Sequence, residues 1–175
     1  HQAVSVLENY YETTPSQPGH ERCFSYIGKS YYCLKKFKQA ATWLQRGLNV
    51  DQSDAESLSL LGLVYLKTGE GNDIALKLCE KSVEIEPGSL AYRLCYAQAL
   101  EACGQHQAAA DTYIGCARSK KTRAAAWLGI ARLHFVERKW GDAERYLKKI
   151  GCLEGVELDV AQEAEQIRRK IKKIK

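Results

Sequence analysis

Histidines and cysteines are the side chains of this chain best suited to nucleophilic, acid–base or metal chemistry, so their spacing is weighed first. The four histidines, His1, His20, His106 and His134, fall in four separate stretches. Only Cys103 with His106, and His134 with Glu137, stand at turn or helical spacing, and each reads as an ordinary core or surface position. No H-E-x-x-H, no G-x-S-x-G and no phosphate-cradling glycine loop is present; GEGND at residues 69–73 reads as a turn between two helices. The seven cysteines, Cys23, Cys33, Cys79, Cys95, Cys103, Cys116 and Cys152, form an odd set without a C-x-x-C pair. Neither a disulfide framework nor a zinc site is indicated. Several lie at apolar helix positions, where a free cysteine acts as a small hydrophobe, and such usage fits a reducing, cytoplasmic compartment. The sequence predicts no enzyme and no cofactor.

At 175 residues and 45% hydrophobic content, the chain can bury a core as one domain or one short repeat array. No run approaches the 18 or so apolar residues of a membrane helix, and the first residues lack the order of a signal peptide. A start at His1 and the absence of methionine suggest a piece of a longer or processed polypeptide, with any targeting element outside it. The formal charge of +5 hints at nucleic acid until it is located. Residues 168–175 hold six of the 26 basic side chains, leaving 20 against 21 acidic ones before them. The body is therefore not a phosphate-binding surface, and no nucleic-acid partner is expected.

What must position any site is a repeat. Ile27-Gly28-x-x-Tyr31 returns 34 residues later as Leu61-Gly62-x-x-Tyr65, then after 35 as Tyr96-Ala97-x-x-Leu100, and after 34 as Ile130-Ala131-x-x-His134. The one extra residue sits in GEGND. The second half of each unit repeats too, as Ala40-x3-Leu44, Ala75-x3-Cys79, Ala109-x3-Tyr113 and Ala143-x3-Leu147. Each alanine comes three residues after Phe37, Asn72, His106 or Trp140 at a turn. A Gly or Ala is needed where two helix backbones approach to about 8–10 Å, and large residues fill the gap beside them.

This pattern resembles the tetratricopeptide repeat family, whose unit is a pair of antiparallel helices with small residues at its eighth and twentieth positions. The resemblance implies an all-α fold, a right-handed α-solenoid of helix pairs forming a superhelix. Four repeats are placed at residues 21–54, 55–89, 90–123 and 124–157, with 1–20 holding the second helix of a truncated preceding repeat (Ala3-x3-Leu7, then Pro15) plus a loop. Departures are Arg93 at a bulky position, His134 where tyrosine is usual, and Asp51-Gln52 in place of a closing proline. Residues 158–175 read as a capping helix with a basic end, acidic early and cationic late as the helix dipole favours. Its Val160, Ala164, Ile167, Ile171 and Ile174 form a narrow apolar seam, offering a cover for the last repeat or a contact for a partner.

In this family the first helix of each pair lines the concave face. The residues that the resemblance places there, and that form the candidate groove, are Tyr26, Lys29, Tyr32, Leu60, Leu63, Leu66, Leu94, Gln98, Leu128, Arg132 and Phe135. Some family members clamp the C-terminal carboxylate of a heat-shock chaperone with Lys, Asn, Asn, Lys and Arg. The matching slots here hold Ser25, Lys29, Leu60, Ala91 and Cys95, or in the next register Ser59, Leu63, Cys95, Ala125 and Gly129, so neither register makes a clamp. The expectation is a non-catalytic interaction module or scaffold whose apolar groove holds a segment of another protein. The alternatives are a secretion-type chaperone shielding an apolar client, and a structural protein that oligomerises through its end repeats or C-terminal helix. Coverage of the leucines by the chain itself is the competing structural reading.

Overall fold

The computed structural model describes residues 22–174 together with Val6, Asn9 and Thr13. The expected helix before residue 20 lies outside the described residues. Among the described residues there are helices and no strands: α1 (Arg22–Cys33), α2 (Phe37–Val50), α3 (Ala55–Thr68), α4 (Asn72–Ile85), α5 (Leu90–Ala102), α6 (His106–Cys116), α7 (Lys120–Val136), α8 (Trp140–Gly151) and α9 (Leu158–Ile174). The fold class is all-α, as the repeat pattern implies. The second helices start at Phe37, Asn72, His106 and Trp140, the residues that mark the turns in sequence.

The local reasons are legible. Asp54 caps α3, its side chain accepting from the Glu56 N–H at 3.1 Å, and Ser119 caps α7 by accepting from the Lys121 N–H. The turn inside each pair needs one residue with positive φ, filled by Lys35 (58°), Gly69 (72°), Gly104 (74°) and Arg138 (58°). Glycine takes that conformation without a Cβ penalty, whereas Lys35 and Arg138 hold it under strain. After α3 a second positive-φ glycine, Gly71 at 76°, follows Gly69, and the one extra residue lies between Gly69 and the start of α4 at Asn72.

The chain divides into two compact units, residues 1–99 and 100–175. In the first, α1 packs on α2 and α3, α2 on α3, and α3 on α4. Its core joins Cys23, Ile27, Tyr31, Ala40, Leu44, Leu61 and Val64. A Cβ on Gly28 would lie 2.6 Å from Leu44, and one on Gly62 would lie 2.6 Å from Cys79 Sγ, so the glycines set how closely the paired helices approach. In the second unit α7 packs on α6, α8 and α9, and α9 also on α8. Leu128, Ala131, Ala143, Leu147 and Ile150 share a core there with Val160, Ala164, Ile167 and Ile171 of α9. Ile174 ends the seam exposed. Each fully buried Leu or Ile contributes on the order of 1.5–3 kcal/mol.

Candidate functional site

α3 carries an unusual pattern, AESLSLLGLVYLKT, apolar around most of its circumference. Leu58, Leu61 and Val64 are buried, and Leu60, Leu63 and Leu66 on the other side are half-buried, with Leu60 leaning on the core of the first unit. A helix that is apolar all round has something to meet on every side. On α1, Tyr26 is 51% exposed, Lys29 is exposed, and Tyr32 is half-buried against Phe37 at 5.8 Å between ring centroids. Leu94 and Gln98 on α5 are half-buried. The first unit therefore keeps eight of the candidate residues at least partly accessible.

The face is not uniformly apolar. At its Tyr26 end lies a cleft of about 510 Å³ whose lining includes Tyr26, Asp51, Asp54, Glu56, Glu86 and Tyr92. Burial, and then the Glu86, Glu56 and Asp54 carboxylates, push the Tyr92 phenol up to about 12. Lys29 reaches across from α1 to Glu56 at 2.8 Å, and this hydrogen bond raises its pKa against a smaller opposing effect of burial. The slot rules select positions on first helices only, so the carboxylates of the loops between repeats escaped them. Their clustering at residues 51–56 was the available signal.

In the second unit two expectations are corrected. Leu128 is 3% exposed, locked into the core with Leu147 and the α9 seam, and lines no open groove. Arg132 is not a free rim cation. Its Nε and Nη2 donate to the two oxygens of Glu101, each at 2.8 Å, its Nη1 donates to Glu163 at 3.0 Å, and its Nη2 also donates to Tyr113 Oη at 3.1 Å. Tyr113 donates to Glu101 at 2.7 Å. Burial works against the charged guanidinium, but the Glu101 hydrogen bonds override it and raise the Arg132 pKa; burial and the Glu101 charge hold the Tyr113 phenol far above its usual range. The ring of Tyr113 lies flat where a side chain on Gly129 would be, 2.3 Å from its Cβ position. Phe135 is half-buried against Trp140, ring centroids 5.2 Å apart, beside α9. Its outer side borders a cleft of about 410 Å³ shared with Arg132, Gln162, Glu163 and Gln166.

The residues that could have done chemistry are dispersed. His134 stacks on Tyr146 at 5.8 Å with Nδ1 lacking a hydrogen-bond partner, and Glu137 pairs instead with Lys139 at 2.8 Å. Cys23, Cys79 and Cys116 are buried, and burial raises the Cys79 thiol pKa, which keeps it protonated. Among the described residues no group of three or more His, Cys, Asp or Glu is placed to hold a metal ion. None of the described helices is long and apolar enough to cross a membrane.

By sequence, residues 28–69 match the family model described as TPR repeat, and no curated protein matches the chain. Solved structures match over most of its length. A thermophilic TPR protein of Thermus thermophilus aligns with a TM-score of 0.75 and 20% identity, covering 86% of this chain and 82% of that one. PilF of Pseudomonas aeruginosa aligns at 0.69 and 17%, covering 87% and 69%, and MamA at 0.64 and 16%, covering 95% and 89%. The same paired-helix unit, the small residues at its closest approach and this breadth of structural likeness lead to one conclusion: residues 28–69 match a tetratricopeptide repeat by sequence, and the chain shares the fold of solved tetratricopeptide-repeat structures.

Proposed function

We propose that the chain is a non-catalytic protein-interaction module whose first unit binds a segment of another protein. Tetratricopeptide repeats generally mediate protein–protein contacts, and the sequence offers no catalytic constellation. The observation that carries the reading is α3, where Leu60, Leu63 and Leu66 form an apolar side beyond the one spent on the core. Tyr26, Lys29 and Tyr32 on α1 and Leu94 and Gln98 on α5 supply its polar and aromatic surround. The acidic cleft at the Tyr26 end favours a partner segment in which an apolar stretch is followed by a cation. The repeat boundaries at 21–54, 55–89, 90–123 and 124–157, with a capping helix from 158, belong to this same reading.

The test compares wild type with a Leu63→Glu, Leu94→Glu double variant in affinity capture, after circular dichroism has shown equal helix content and melting. Partners held by wild type should be absent from the variant. Equal recovery of all partners removes the site from the first unit. A collapsed melt shows instead that these leucines are core.

A further inference from the structure

Beyond the leucine face of the first unit, the second unit has a cleft that the function proposed above does not use. It lies between the N-terminal part of α7 and the C-terminal end of α8, holds about 380 Å³, and is lined by Trp127, Arg145, Lys148, Lys149, Cys152 and Leu153. Its floor is apolar, its rim carries three cations, and no carboxylate lines it. Lys149 Nζ stands 5.5 Å from the Trp127 ring centroid and 5.0 Å from that of Tyr146, while the Arg123 guanidinium lies 5.9 Å from Trp127. The rings thus hold a long, flexible cation at the mouth, which lowers the entropy cost of recruiting it to an anion.

The fate of the neighbouring charges sharpens this. Arg132 spends its charge on Glu101 and Glu163, and Arg145 pairs with Asp142. Arg123 donates Nε and Nη2 to the carbonyls of Ala117 and Arg118, contacts that orient it without neutralising its charge. Lys148 and Lys149 are exposed in the last turn of α8, where the helix dipole favours cations, and Lys120 and Lys121 are exposed at the start of α7. Glu144 shares α8 with the two lysines, and the adjoining cleft along residues 120–125 and 152–157 sets Glu154 and Glu157 beside Lys120, Lys121 and Arg123, whereas the Trp127 cleft is lined by no carboxylate.

We propose that this cleft docks an acidic segment of a partner protein, with one apolar side chain seated on Trp127, Cys152 and Leu153 and flanking carboxylates on Lys148 and Lys149. A single-stranded nucleic acid is the competing anionic ligand, with bases that could stack on Trp127, and the oligonucleotide arm of the test below decides against it or for it.

The test is fluorescence anisotropy with three labelled probes of equal charge: a glutamate-rich peptide bearing one central phenylalanine, the all-acidic peptide, and a single-stranded oligonucleotide. Wild type should bind the phenylalanine peptide about fivefold more tightly than the all-acidic one, since seating one large apolar group is worth on the order of 1 kcal/mol or more. Lys148→Glu with Lys149→Glu should weaken that peptide about tenfold or more, whereas Lys172→Glu with Lys173→Glu in the basic end of α9 should change it less than about twofold. All four lysines are exposed, so the melts should coincide with wild type. If the face variant melts early, Lys148→Gln with Lys149→Gln replaces it and should still weaken binding several-fold. Equal loss from the α9 variant, no preference for the phenylalanine peptide, or tighter binding of the oligonucleotide each overturns the proposal. Its outcome is independent of Leu63 and Leu94, so it separates from the test of the first unit.

Discussion

Lys29 on α1 and Arg132 on α7 each follow the small residue of the recurring motif, Gly28 and Ala131, and they do different work. Lys29 makes one exposed contact to Glu56, its side chain 53% accessible. Arg132, at 25%, is held by Glu101, Glu163 and Tyr113 together. An exposed ion pair is worth between nothing and about 1 kcal/mol, while removing one partner of a shielded network leaves charges and hydrogen bonds unmet. The comparison teaches that one motif position is a surface only where no other element reaches over it. In the second unit α9 does reach over it, and the slot becomes structure.

The sharpest way to break that comparison is at the glycines. Gly129→Ala sets a methyl group into the Tyr113 ring, which its bonds to Glu101 and Arg132 keep from moving, and should cost about 3 kcal/mol in urea denaturation. Gly28→Ala meets only the branched end of Leu44 and should cost nearer 1 kcal/mol. Equal costs would show that the network is not what stiffens the second unit.

Next in size, Arg132→Ala should destabilise by about 2–3 kcal/mol and Lys29→Ala by less than about 0.5 kcal/mol, read as shifts in the denaturation midpoint. A double-mutant cycle with Glu101→Gln should then return a coupling on the order of 1–3 kcal/mol, against almost none for Lys29 with Glu56.

Alkaline titration tests the same contrast without changing shape. Unfolded tyrosine loses its proton near pH 10, whereas burial keeps Tyr113 protonated in the folded protein. The native state then binds more protons than the unfolded one, so the stability this supplies is present below about pH 10 and is lost as pH rises further. Tyr92, pushed up to about 12, adds the same sign in the first unit. Tyr113→Phe should flatten the slope measured between about pH 9 and about pH 11.

The smallest effect concerns the turns common to both units. Lys35→Gly and Arg138→Gly should each stabilise by about 0.5–1 kcal/mol, since φ is 58° at both positions. A gain at one and a loss at the other would mean that the two turns are not the equivalent structures the period makes them.

Much of this molecule was legible in its sequence because a repeat states the same local problem several times. Gly28, Gly62, Ala97 and Ala131 recur as small, buried residues, Gly28 against the Leu44 side chain and Gly62 against Cys79 and the Ala75 carbonyl, and the helix starts at Phe37, Asn72, His106 and Trp140 follow from the turns between them. Those are short-range consequences of side-chain size, and the interval of 34 or 35 residues carries them. Which slots stay open was decided only in three dimensions. Glu101 and Glu163 are each 31 residues from Arg132, Tyr113 is 19 away, and Leu128 is buried by a helix that begins at Leu158. A period fixes what each unit does with its neighbour, but a charge finds its partner, and an apolar face its cover, only when the helices have been set side by side.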